Sequence, residues 1–175
     1  KAHMNLHEFE KALSYYTKVI AIEFGEFQPK DDLSVPTVKQ YNAAEHVEGL
    51  ETIHNKASIL YSLSETIQDP STVRAYVQSS LAHFKLIDSI LFNIQKELSS
   101  PNAIYYLLNK AEKVYESAVG VAISLSERHQ NQKEHYLIEA WYFIERRKSI
   151  ALSKFMNERK SAFKYLPELS RDSLL

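Results

Sequence analysis

The sequence contains no cysteine, three glycines, five prolines and one tryptophan in 175 residues. Without cysteine this stretch has no disulfide, no thiolate metal ligand and no cysteine nucleophile. That absence fits a reducing compartment, so the expected location is cytoplasmic. So few helix breakers leave room for long uninterrupted helices. Neither charge sign dominates: 21 Lys+Arg stand against 22 Asp+Glu, for a net charge of −1. Binding phosphate backbones needs a basic surplus, so nucleic acid is not the expected partner. No apolar run approaches the ~18 to 20 residues that span a bilayer, and no signal peptide is visible. Membrane insertion is therefore not expected.

A segment that occurs twice is the strongest positive signal. Asn55-Lys56-Ala57 is followed four residues later by Tyr61, and Asn109-Lys110-Ala111 by Tyr115. Apolar residues match around it: Ile53 with Leu107, and Leu60 with Val114. Internal repetition in a chain with few strand signals points to stacked helical pairs.

Apolar spacing predicts five long helices. The first covers about 5–24, with Leu6, Phe9, Leu13, Tyr16, Ile20 and Phe24 on one face and Gly25 as its stop. Residues 25–39 read as a loop with Pro29, Pro36 and the pair Asp31-Asp32, either a boundary between repeats or a mobile binding loop. The second helix covers about 41–67, burying Leu50, Ile53, Ala57, Leu60, Ser64 and Ile67. Asp69-Pro70-Ser71 ends it, and Ser71 is the expected cap of a third helix reaching about 98. Ser100-Pro101 restarts a fourth helix to about 129, with Gly120 inside it as a point of close helix contact. After the polar run Gln130–Lys133, a fifth helix covers about 134–159. Residues 1–4 read as a tag remnant and 166–175 as a tail of a longer protein. Residues 5–165 then form a single all-α domain: a half repeat at 5–24 and full repeats at 40–98 and 102–159.

These residues resemble a tetratricopeptide (TPR) array. Ala12, Tyr16 and Val19 match the small–aromatic–apolar spacing of that family's second repeat helix, and Ser80, Phe84 and Ile87 match it with serine for alanine. Ala57 with Leu60 and Ala111 with Val114 fit its first helix loosely; the family's Trp-Leu-Gly signature is missing, and the spacing is longer than the usual ~34 residues. The resemblance implies antiparallel helical hairpins stacked as a superhelix. Residues 140–149, AWYFIERRKS, are similar to the last repeat helix before bacterial CHAT domains, which are caspase-like or separase-like peptidases. Any catalytic His-Cys pair of such a domain would lie beyond residue 175.

In such arrays one face of the first repeat helix lines a concave groove. Here that face would carry Glu51, His54, Asn55, Ser58, Tyr61, Ser62 and Glu65, and equivalently Tyr105, Leu108, Asn109, Glu112, Tyr115 and Glu116. Asparagine donates and accepts, which suits an extended peptide backbone. Tyrosine adds contact area with a polar tip. The plainer alternative is a solvated face whose tyrosines cover neighbouring turns.

Other chemistry finds little support. The pairs His3/His7, His46/His54 and His129/His135 lack a third ligand or an H-E-x-x-H pattern, so no metal is expected. No G-x-S-x-G turn holds a serine nucleophile, and no cofactor is implied. Residues 145–175 hold Arg146, Arg147, Lys148, Lys154, Arg159, Lys160, Lys164 and Arg171 against four acids. They are either helix-end cations favoured by the dipole or a dock for a following domain. The expected function is a non-catalytic protein-interaction module that binds a protein or peptide or positions a downstream domain. Self-association through exposed array ends is a further expectation. The alternatives are the regulatory arm of a CHAT-type peptidase, or the helical input region of a bacterial histidine kinase or transcription regulator.

Overall fold

The structure is a computed structural model and describes residues 6–40, 49–97 and 100–164. These form five α-helices: α1 (Leu6–Glu23), α2 (Gly49–Ser64), α3 (Pro70–Glu97), α4 (Pro101–Arg128) and α5 (Lys133–Lys164). Short 3-10 turns lie at Val38–Gln40 and Gln130–Gln132, and no strand occurs among the described residues. Each helix packs on the next, and α2 also touches α4. The fold is all-α, as expected, and its packing is that of an array of helical hairpins.

Helix ends follow local chemistry. Gly25 adopts φ +51°, a left-handed position that closes α1. α2 stops at Ser64 rather than at 67. The Thr66 amide and hydroxyl both bond the Leu63 carbonyl, at 2.9 and 2.8 Å, which turns the chain away from the helix. The expected start of that helix at 41–48, the tag remnant and the 166–175 tail lie outside the described residues. The cap of α3 is Asp69, not Ser71: its carboxylate accepts from the Thr72 amide at 2.8 Å, with Pro70 in the first turn. Ser100 precedes α4 as expected, but its side chain makes no capping hydrogen bond.

One continuous core runs from Ile20 and Phe24 on α1 to Phe143 and Ile150 on α5. The expected stripe of α2 is buried except at Ile67, and α3 buries Val77, Ser80, Phe84, Ile87, Leu91 and Ile94 at steps of three and four. Residues 26–37 lie between α1 and α2 and pack on the core rather than standing off from it. Phe27 and Pro36 are buried, and Val35 packs on the core. The segment roofs α2 and α3: the Leu33 carbonyl accepts from Ser79 Oγ at 2.7 Å, and the Ser34 carbonyl from Lys56 Nζ at 3.1 Å.

A polar cluster ties the last three helices. Asp88 on α3, almost fully buried, accepts from the hydroxyls of Tyr115 on α4 and Tyr142 on α5, and from Arg146 Nε at 2.5 Å. Burial pushes the Tyr115 hydroxyl up and Tyr142 up to about 12, so both remain donors at neutral pH. Three cations of the basic end are thereby committed inside the chain: Arg146 to Asp88, Lys148 to Glu145 at 2.7 Å and Arg147 to Glu112 at 4.0 Å.

Gly120 does not mark a close helix contact. It is exposed, and a β-carbon built there meets nothing within 4 Å. Gly120→Ala should therefore raise stability by about 0.5–1 kcal/mol, read as a higher urea midpoint by circular dichroism. Asp88→Ala should lower it by about 2–3 kcal/mol in the same assay. The loss stays below that of a fully sealed pair because Arg146 keeps 30 % side-chain exposure.

Candidate groove between α2 and α4

Helices α2 and α4 run parallel, joined by four rungs. His54 Nε2 meets Ser117 Oγ at 3.0 Å, and the Tyr61 hydroxyl donates to Ser124 Oγ at 2.6 Å. Arg128 pairs with Glu65 at 2.6 Å and Lys110 with Glu51 at 3.1 Å. Three rungs share one register, 63 residues apart, whereas Lys110 and Glu51 are 59 apart. At the N-terminal ends of the two helices the ladder therefore gives way to a longer, diagonal reach, and a hollow opens beneath it.

That hollow is a cavity of about 430 Å³. Glu51, His54 and Asn55 face it from α2, and Tyr106, Asn109, Lys110 and Lys113 from α4. Leu50, Leu91, Ala111 and Val114 add apolar lining. Both asparagines of the repeated segment therefore look into one space. Among the described residues neither side-chain amide has a hydrogen-bond partner, and Lys113 makes no ion pair. Burial lowers the His54 pKa, so its ring is neutral at pH 7 and offers one donor and one acceptor. The hydrogen bond to Glu51 raises the Lys110 pKa. A hollow with an apolar floor and few polar groups has the size and make-up of a ligand site. A larger hollow of about 590 Å³ beside the α4–α5 turn is lined almost wholly by polar side chains.

The cavity gathers Glu51, His54, Asn55 and Asn109, four of the expected residues. Ser58 Oγ donates to the His54 carbonyl at 3.0 Å, and Tyr61 forms a rung. Ser62, Tyr105 and Glu116 do not line the cavity, and Glu112 pairs with Arg147 toward α5. Tyr115 is a correction: it is fully buried and belongs to the core. Matching Tyr115 to Tyr61 assumed that both helices show equivalent faces. α4 instead packs on α3 and α5, so the face bearing Leu108, Ala111, Tyr115 and Ala118 turns inward. The groove face of α4 is Tyr106, Lys110, Lys113, Ser117 and Ser124, which follows steps of four, three, four and seven. That polar stripe is readable in the sequence once the roll of α4 is known.

Lys56, the middle residue of the first repeated segment, points away from the groove. It is fully buried under the 26–37 roof, near His83 on α3. Burial lowers the Lys56 pKa to about 8, against the opposing pull of Asp32 and Asp31. Burial, with the Lys56 charge, lowers that of His83 to about 3. His83 Nδ1 donates to the Ser79 carbonyl at 2.7 Å, and Nε2 has no partner among the described residues. A sealed pair of this kind sets pH dependence rather than binding. Among the described residues no group of three His, Asp or Glu side chains is placed to hold a metal.

Both groups are bases whose folded pKa is depressed, so the unfolded chain binds more protons and stability rises with pH across each window. The chain should therefore lose stability as pH falls from the ordinary histidine value of 6.5 toward 3. It should gain stability as pH rises from about 8 toward the ordinary lysine value of 10.5. Lys56→Met should flatten the alkaline rise without lowering stability at pH 7, as urea midpoints across a pH series will show.

No protein-family model, no curated protein and no solved structure matches the chain.

Proposed function

We propose that the chain is a non-catalytic interaction module whose α2–α4 groove takes an extended peptide segment. The observation that carries this reading is the convergence of Asn55 and Asn109 on one cavity of about 430 Å³. Each amide is able to donate to a main-chain carbonyl and accept from a main-chain N–H, as an extended strand requires. The Leu50, Leu91 and Val114 floor suits one small apolar side chain. Lys113 at the rim favours a neighbouring carboxylate on the peptide. The resemblance to tetratricopeptide arrays, which bind peptides on the equivalent helices, agrees with this assignment. In a longer protein the same groove would position or sense a neighbouring domain.

The test is a peptide-display selection on the wild-type chain, followed by fluorescence anisotropy with the enriched peptides. Two lost hydrogen bonds at ~0.5–1.5 kcal/mol each should weaken binding by at least about tenfold in Asn55→Ala/Asn109→Ala, with helicity unchanged. Peptides held equally by both proteins would move the site elsewhere. Failure to enrich any peptide would remove the reading.

A further inference from the structure

Large apolar side chains stand exposed along the outer face of α5. Ile138, Trp141 and Leu152 are each 60–61 % exposed and Phe155 54 %, an unusual density on one helix. They lie opposite Phe143, Ala140 and Ile150, which α5 buries. With the four charged positions Glu134, Glu145, Lys148 and Arg159 the stripe repeats in alternating steps of four and three, the periodicity of a coiled-coil seam.

The order along this stripe is the informative feature. About a midpoint between Arg146 and Arg147, each stripe residue has a counterpart equally far on the other side. Ile138 mirrors Phe155, and Trp141 mirrors Leu152, so apolar reflects apolar. Glu145 mirrors Lys148 and Glu134 mirrors Arg159, so each acid reflects a base. All are exposed. If positions a and d are assigned along the seam, every mirrored pair joins an a to a d, the pairing of antiparallel coiled coils. A two-fold axis through that midpoint would bring each residue against its counterpart on a second copy.

We propose that α5 is a homodimer interface, two copies pairing antiparallel along a seam of about 37 Å from Glu134 to Arg159. The apolar layers flank the centre on both sides. The two central Glu145–Lys148 layers weaken the association but fix its register, because any shift sets like charges or a charge and an apolar group against each other. Within one chain Lys148 already bonds Glu145 at 2.7 Å and lies 5.1 Å from the Trp141 ring centre. The charges are therefore held beside the apolar layers before a partner arrives. This surface is separate from the α2–α4 groove, and its test does not depend on what that groove binds.

The chain has no native cysteine, so single cysteines report geometry directly. Trp141→Cys and Leu152→Cys chains, prepared separately and then mixed under mild oxidation, should cross-link to each other. Either alone should not, because the antiparallel register separates identical positions by about 16 Å, beyond disulfide reach. In the wild type, sedimentation should show a monomer–dimer equilibrium, and emission of the single tryptophan should shift blue as concentration rises. Glu145→Lys should weaken the dimer at least about tenfold, and Glu145→Lys/Lys148→Glu should restore it. Cross-linking of either single variant by itself would overturn the antiparallel register. A monomer at every concentration, or a dimer indifferent to Glu145→Lys, would overturn the interface.

Discussion

The Asp88 carboxylate sets the geometry on which the α2–α4 groove and the outer face of α5 depend. A carboxylate so nearly sealed from solvent must be matched by donors, or its desolvation would cost several kcal/mol. Tyr115 comes from α4, and Tyr142 and Arg146 from α5. Meeting that demand fixes the roll of both helices about their axes. With Tyr115 turned in, α4 shows Tyr106, Asn109, Lys110 and Ser117 to α2, and the groove acquires its lining. With Phe143 and Arg146 turned in, α5 shows Ile138, Trp141 and Leu152 to the outside. One buried charge thus decides which faces of two helices remain available.

The groove itself arises from a mismatch of registers. Where the His54–Ser117 and Tyr61–Ser124 rungs hold, side-chain hydrogen bonds bridge α2 and α4 directly. Toward their N-terminal ends Lys110 reaches diagonally to Glu51, and the space beneath exposes two amides that nothing nearby satisfies. Asn109 is exposed and Asn55 half-buried, so water serves both amides and a ligand's main chain would take its place. The same ion pair would gate access: its partners are 28 % and 65 % exposed, so it contributes little to stability and is readily displaced.

Lys56 and Lys110 occupy equivalent places in the repeated segment and have opposite fates. Lys110 lies at the groove rim, where Glu51 raises its pKa. Lys56 lies beneath the 26–37 roof, where burial lowers it. The two copies differ because the first hairpin has a roof segment and α1 beside it, while the second has α5. Repetition in sequence therefore marks equivalent helices without implying equivalent environments.

Much of the fold was legible in the sequence. Steps of three and four placed five helices; Gly25 marked the end of α1, and Pro70 and Pro101 the starts of α3 and α4, to within a residue or two, whereas α2 ends three residues before the expected 67 and α5 runs five residues past the expected 159. Those signals are local, set by backbone stereochemistry and by which side chains avoid water. Asn55 and Asn109 were legible as a pair because they repeat. What the sequence could not give was the roll of α4, which sends Tyr115 to Asp88 and Lys110 to the groove. It could not give the folding of 26–37 over Lys56 either. Both depend on which neighbour a helix meets on each side, and a buried carboxylate 27 residues from its tyrosine leaves no periodic trace. Sequence determined the elements and their apolar faces; tertiary packing decided which polar faces converge, because only packing brings distant donors to one acceptor.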